Sequence, residues 1–127
     1  PKWSNVWDSA SKPASYDDDS VKKIAILMTD GEYNTQYDTH GLMTSTNNTS
    51  PMNGPSDTQA RTVCGQMKEA GIQVYTVGFG LDSTKAIETL RQCATDDTTA
   101  YLAQDGEQLR NVFRDIAVKL SPLHLTQ

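Results

Sequence analysis

The residues best placed to do chemistry are Thr29, Asp30 and Gly31, where the run Ile24-Ala25-Ile26-Leu27-Met28 ends in a carboxylate followed by a glycine. A strand that is apolar on consecutive rather than alternate positions is covered on both faces, as in parallel sheets sandwiched by helices. In such sheets ligands gather just beyond the carboxyl ends of the strands, where Asp30 stands. Gly31 lets the backbone turn tightly beside whatever Asp30 holds. The same residues equally describe an Asp that hydrogen-bonds its own turn and caps a loop. Both readings stand on these residues alone.

Other groups offer less. Cys64 and Cys93 have no close His or second Cys, a poor spacing for zinc. They form a disulfide or remain two buried free thiols, and composition favours neither. Three adjacent carboxylates, Asp17-Asp18-Asp19, cannot all turn toward one ion and read as solvated loop. Gly78-Phe79-Gly80 between a strand and a helix invites a dinucleotide reading, but Ser83 stands where the third glycine belongs and no acidic residue ends the next strand. Nucleophile elbows, P-loops and the His-Glu-x-x-His motif are absent, and nothing assembles an acid–base pair. His40 and His124 are isolated and take no role.

The elements that must position Asp30 follow from periodicity. Residues 1–20 form an N-terminal segment in which Trp3, Val6 and Trp7 share a helical face, a packing patch or a platform for carbohydrate or a partner. Residues 33–56, rich in Asn, Thr, Ser, Gly and Pro, predict a long surface loop beside Asp30. The sequons at Asn47 and Asn48 matter only in a eukaryotic secreted protein. A helix follows, with a capping-box spacing at Ser56 and Gln59, an apolar face of Ala60, Val63, Cys64 and Met67, and Gly71 as its stop. Ile72–Phe79 is the second strand. Asp82 or Ser83 caps a helix with Ala86, Ile87, Leu90 and Cys93 or Ala94 inward. Residues 99–103 are a third strand, and Asp105 with Gln108 opens a helix carrying Leu109, Val112, Phe113, Ile116, Ala117 and Leu120 until Pro122.

The order β-α-β-α-β-α predicts an α/β fold, a right-handed parallel sheet flanked by helices. At 127 residues one domain is expected. Three parallel strands leave apolar edges and faces uncovered, so the chain reads as the second half of a domain. Upstream strands, or a homodimer that covers the exposed sheet edge, would fill the gap. Cys64 and Cys93 fall on the helices before and after the second strand, where a bridge could pin the two if their Cβ atoms converge. A net charge of −5 with no basic stripe argues against nucleic acid. No apolar run approaches a bilayer span. With Pro1 first and no leader, the chain reads as a processed product or an excised piece.

The strand Ile24–Thr29 running into Thr29-Asp30-Gly31-Glu32 with Asn34 behind it, followed by Gly71-Ile72-Gln73-Val74-Tyr75-Thr76-Val77-Gly78-Phe79, resembles the later half of a von Willebrand factor type A domain. More narrowly, Met28-Thr29-Asp30-Gly31-Glu32-Tyr33-Asn34-Thr35, Cys64, Cys93-Ala94 and the closing Leu120-Ser121-Pro122-Leu123-His124-Leu125-Thr126 look like the C-terminal region of bacterial tight-adherence (Flp-type) pilus-assembly proteins. The resemblance covers nearly the whole chain, residues 1–127 then being the C-terminal half of one such domain.

It implies a MIDAS-like site in which Asp30 is the third-loop ligand of Mg²⁺ or a similar divalent cation, with Thr29, Gly31, Glu32 and Asn34 on the binding rim. Hard oxygen ligands suit that ion, and one open coordination position could take a partner's carboxylate. The family's Asp-x-Ser-x-Ser loop is absent here and its Thr loop would lie upstream of Pro1, so this chain alone should bind no cation. The resemblance also implies a membrane anchor upstream and a place in the bacterial cell envelope, outside the cytoplasm. That oxidising setting favours the Cys64–Cys93 disulfide. The function so implied is a non-enzymatic binding and assembly module whose partners are pilus or cell-envelope proteins. The alternative is a metal-assisted, phosphatase-like hydrolase using Asp30, which needs a second acidic or His residue at another strand end.

Overall fold

A computed structural model describes residues 14–31, 36–37, 43–45 and 55–121. Trp3, Val6, Trp7, Glu32, Asn34, His40, the sequons and the tail from Pro122 lie outside the described residues. In chain order the elements are β1 (Ile24–Thr29), β2 (Gln36–Tyr37), β3 (Met43–Ser45), α1 (Ser56–Glu69), β4 (Gln73–Phe79), α2 (Thr84–Cys93), a 3₁₀ turn (Asp97–Thr99), β5 (Ala100–Ala103) and α3 (Gly106–Leu120). The main sheet has the order β1-β4-β5 and both pairings are parallel. The expected α/β fold is therefore present.

β4 lies between two layers. Val74, Tyr75, Thr76 and Val77 are buried on consecutive positions, as in a central parallel strand covered on both faces. Alternate side chains go to opposite faces. Tyr75 and Val77 join Ala103 and the Val112 and Ile116 of α3 in one core cluster. On the other face the Thr76 hydroxyl donates to the Leu90 carbonyl of α2 at 3.0 Å, and Leu81, Ala86 and Leu90 form a second cluster that Leu27 joins.

Gly78 packs closely on that second face. A Cβ there would stand 2.7 Å from Leu81 Cδ1 and 2.9 Å from Leu90 Cδ1 and Leu102 Cδ2. The first glycine of Gly78-Phe79-Gly80 thus serves close packing of β4 against leucines, and no phosphate need be invoked. Gly80 supplies a positive φ of 61° where the chain leaves the strand.

Local signals explain the joints. α1 ends in a Schellman motif: Ile72 N–H donates to the Met67 carbonyl and Gly71 N–H to the Lys68 carbonyl, both at 3.0 Å, with Gly71 at φ 79°. That closure turns the chain directly into β4. Ser83 caps α2, accepting from Ala86 N–H at 3.3 Å. Asp105 caps α3, accepting from Gln108 N–H at 2.8 Å. Gln108 Oε1 reaches back to the Gln104 N–H at 2.9 Å.

α1 and α2 are joined along one seam. Asp57, Arg61, Cys64 and Lys68 recur at helical spacing on α1 and each meets α2. Asp57 pairs with Lys85 at 3.3 Å as well as with Arg61 at 2.7 Å. Arg61 donates to Gln92 Oε1 at 3.0 Å, and Lys68 Nζ to the Gln92 carbonyl at 2.7 Å. Cys64 and Cys93, both buried, form the disulfide, with Cα atoms 5.0 Å apart.

Four expectations change. Residues 33–56 include a small antiparallel pair, β2 with β3; strands of two and three residues are too short to carry a period. α1 begins after Pro55, to whose carbonyl Gln59 N–H donates at 3.0 Å, so Ser56 is the first helical residue and not the cap. Val63, Phe113 and Ala117 are exposed, because α1 turns its 57-61-64-68 stripe to α2, and the apolar face by which α3 covers β4 and β5 is Leu109, Val112, Ile116 and Leu120. β1 is only partly covered on one face: Ile24 packs against the Tyr75 cluster, but Ile26 is 47% and Met28 55% exposed. The register pairs these two with Tyr75 and Val77, hence on the α3 side, where they stay largely open to solvent.

α3 is held to β5 by polar contacts at its end. Tyr101 donates to Asp115 Oδ2 at 2.6 Å, and Lys119 donates to the Tyr101 hydroxyl at 2.6 Å and to the Thr98 carbonyl. The Tyr101 hydrogen bond holds the Asp115 carboxyl below its ordinary range, Lys119 adding to the effect. A carboxyl lowered in the fold stabilises it above the unfolded value of 3.8, and that stabilisation is lost as pH falls through the folded value. Asp115→Asn should therefore flatten the acid limb of a thermal-unfolding-against-pH curve below about pH 4. The disulfide closes a 29-residue separation, so Cys64→Ala/Cys93→Ala should lower unfolding free energy in urea by about 3–4 kcal/mol on the chain-entropy account.

Candidate functional site

Because all three main strands run the same way, their carboxyl ends at Thr29, Phe79 and Ala103 share one rim. The turn after β1 is clamped by a single hydroxyl. Thr29 Oγ1 accepts from Gly31 N–H at 3.3 Å and donates to the Gly31 carbonyl at 3.2 Å. This clamp turns Asp30 outward. Asp30 is exposed, and no hydrogen bond or ion pair to its carboxylate is found among the described residues. The turn that Thr29 closes does not use Asp30 as its acceptor, so the turn-capping role has no support in these contacts.

Beside the carboxylate lies a cavity of about 240 Å³ walled by Met28, Thr29, Phe79 and Leu109. The arrangement offers one charge next to an apolar recess, which suits a protein side chain with both characters better than a free ion. Phe79 and Leu109 escape sequence reading as site residues because apolar positions at strand and helix spacing read as core. Only their location at the end of β4 and the start of α3 gives them away.

The other rim carboxylates do not converge on Asp30. Asp105 is spent as the α3 cap, and Asp82 is exposed beyond β4. No three His, Cys, Asp or Glu side chains gather as a metal site among the described residues. The described residues therefore do not fit a divalent cation: Asp30 is one ligand, and the Thr29 hydroxyl is engaged with Gly31. Of the expected rim, the structure brings Thr29, Asp30 and Gly31 together, while Glu32 and Asn34 lie outside the described residues.

Comparison with known proteins agrees with this architecture. The family model of the von Willebrand factor type A domain matches residues 5–115. Proximal thread matrix protein 1 from the mussel byssus shares the fold at TM-score 0.52 and 20% identity, over 86% of this chain and 21% of that one. The pilus adhesin SpaC from Lactobacillus rhamnosus GG does so at TM-score 0.61 and 15% identity, over 82% of this chain and 17% of that one. The chain spans about a fifth of the length of these structures. None of the curated proteins compared matches it. A parallel sheet between helices with an Asp at the end of β1, matched over this span, is an A-type module, and the chain belongs to the von Willebrand factor type A domain family.

A lone exposed carboxylate in water is a weak Mg²⁺ ligand, since that ion sheds its waters reluctantly. Titration calorimetry of residues 1–127 with Mg²⁺ at millimolar concentration should show no heat that Asp30→Ala removes.

Proposed function

We propose that the chain is the later half of an A-type domain and works as a non-enzymatic binding and assembly module, with partner contacts at the rim around Asp30. The observation that carries this reading is the unpaired, outward-turned Asp30 carboxylate beside the recess of Met28, Phe79 and Leu109. Family membership supports it, since A-type domains are commonly protein-interaction modules. The half-domain part rests on β1, a parallel strand whose apolar Ile26 and Met28 are bare and whose outer edge pairs with no described strand. An upstream half supplying a strand and a covering layer would bury both.

In that completed domain Asp30 contributes one ligand to a site for Mg²⁺ or a similar cation, the rest coming from outside this chain. The bacterial setting and the tight-adherence pilus-assembly role rest on the resemblance of residues 28–35 and of the tail. The shared fold of a pilus adhesin is compatible with them. The buried Cys64–Cys93 bond favours a place outside the cytoplasm; a membrane anchor upstream rests on the resemblance alone. No helix among the described residues is long and apolar enough to cross a membrane. A hydrolase would need a second acid close to Asp30, and Asp105 is committed to α3.

A photo-crosslinking side chain at Met28 of the full-length protein should capture pilus or envelope proteins, and one at Val63 should not. Asp30→Ala should cut the Met28 yield about fivefold or more, the equivalent of ~1 kcal/mol of contact, with the unfolding temperature unchanged. Equal capture from both positions, or capture indifferent to Asp30→Ala, would contradict the rim as the contact surface.

A further inference from the structure

We propose that the outer edge of β5 and the groove beside it accept an extended segment of a partner protein as a further strand, one bearing an aliphatic residue and, two positions from it, a carboxylate.

β5 pairs only with β4. The Ala103 carbonyl accepts from Gly80 N–H at 2.8 Å. Backbone groups alternate along a parallel strand, so Tyr101 and Ala103 face β4 while the N–H and C=O of Ala100 and Leu102 point out from the sheet. No described strand pairs with these outward groups, although the 3₁₀ turn Asp97–Thr99 already draws on the Ala100 N–H. Such an edge is a template for another strand, as in the peptide recognition that extends a sheet.

The groove supplies the specificity that a bare edge lacks. About 460 Å³ of space lies along the α2 side of the edge, lined by Thr76, Ile87, Leu90, Arg91, Ala100 and Leu102. Its floor is finished: Leu90 and Thr76 are buried, and the Thr76 hydroxyl already donates to the Leu90 carbonyl. Its wall is not, for Leu102 is 44% exposed. Ala100 and Leu102 project to the same face two residues apart, so an added strand sets its own same-face residues beside them. Next to Leu102 and Ile87 an aliphatic side chain is buried. Next to Ala100 the short methyl leaves room before Arg91, whose ion pairing among the described residues is a 3.9 Å contact with the exposed Glu88. That guanidinium is free to take a carboxylate through two parallel N–H donors.

Asp97, also exposed, lines the same groove and offsets part of the Arg91 charge. The four-residue length of β5 keeps pairing through backbone alone weak, so the side-chain match decides. Arg91 and Asp97 stand near the start of β5, at the end of the sheet away from Asp30, which makes this surface separate from the rim.

The test uses the full chain and ten-residue peptides of Ser and Thr with a central Val-x-Glu, Val-x-Lys or Ser-x-Ser. Fluorescence anisotropy gives affinity, and amide hydrogen exchange gives location. The Val-x-Glu peptide should bind and slow exchange at Leu102, with the Val-x-Lys peptide about fivefold or more weaker. Arg91→Glu should reverse that preference. Leu102→Pro should abolish binding with near-native unfolding, since its outward N–H is outside the ladder; if that variant fails to fold, Leu102→Lys should abolish it instead. Absence of binding by all peptides at millimolar concentration, indifference to Arg91→Glu, or slowed exchange at the rim but not at β5 would overturn the proposal. So would protection of Leu102 before any peptide is added, whether constant, from another segment of this chain, or rising with protein concentration, from a second copy.

Discussion

The two-sided burial of β4 is the constraint on which the other elements depend. A strand with Val74, Tyr75, Thr76 and Val77 all buried must have a layer on each face. α3 supplies one through Val112 and Ile116; α2 supplies the other through Ala86 and Leu90. The approach on the α2 side is so close that position 78 admits only glycine without displacing leucines. α1 is held mainly to α2, by the buried Asp57 carboxylate between Arg61 and Lys85 and by the disulfide. A charged, cross-linked seam of this kind fixes the register of two helices where the apolar contact is small.

The rim follows from the same constraint. Parallel pairing to β4 brings the ends of β1 and β5 to one side, and the Thr29 clamp on Gly31 frees Asp30 from its own turn. Phe79 leaves the core just where β4 ends, and together with Leu109 it forms the recess beside that carboxylate. Site and core are thus continuous: the residues that end the packed layers begin the binding surface. The same sheet has two edges of different character. β1 is long and apolar on its partly bare face; β5 is short, with a groove that mixes apolar floor and charge.

Much of this was legible in the sequence because the signals were local and mutually consistent. The order of strands and helices followed from runs of buried residues alternating with helical periods, and Ser83, Asp105 with Gln108, and Gly71 cap or close their helices by hydrogen bonds within a few residues. The placement of Asp30 at a strand end was equally readable. What escaped was set by partners distant in sequence. Val63 and Phe113 fit a helical apolar face, yet neighbouring elements decide which part of that face is used. The seam from Asp57 to Lys68 reads on α1 alone as a solvated stripe, and only the position of α2 makes it an interface. Ile26 and Met28 look like interior residues of a central strand; their exposure depends on what lies beyond β1, which no local pattern reports.

The central claim is that β1 is an interior strand of a larger A-type sheet, so that the rim at Asp30 is one side of a shared site. Since Lys23 C=O accepts from Gln73 N–H on β4, alternation turns the amides of Ile24, Ile26 and Met28 away from the sheet. Amide hydrogen exchange at these three positions should be compared between residues 1–127 alone and the full-length protein. Fast exchange in the isolated chain with strong protection in the full-length protein is the predicted result; equally fast exchange in both would mean that β1 is a true edge and would contradict the account.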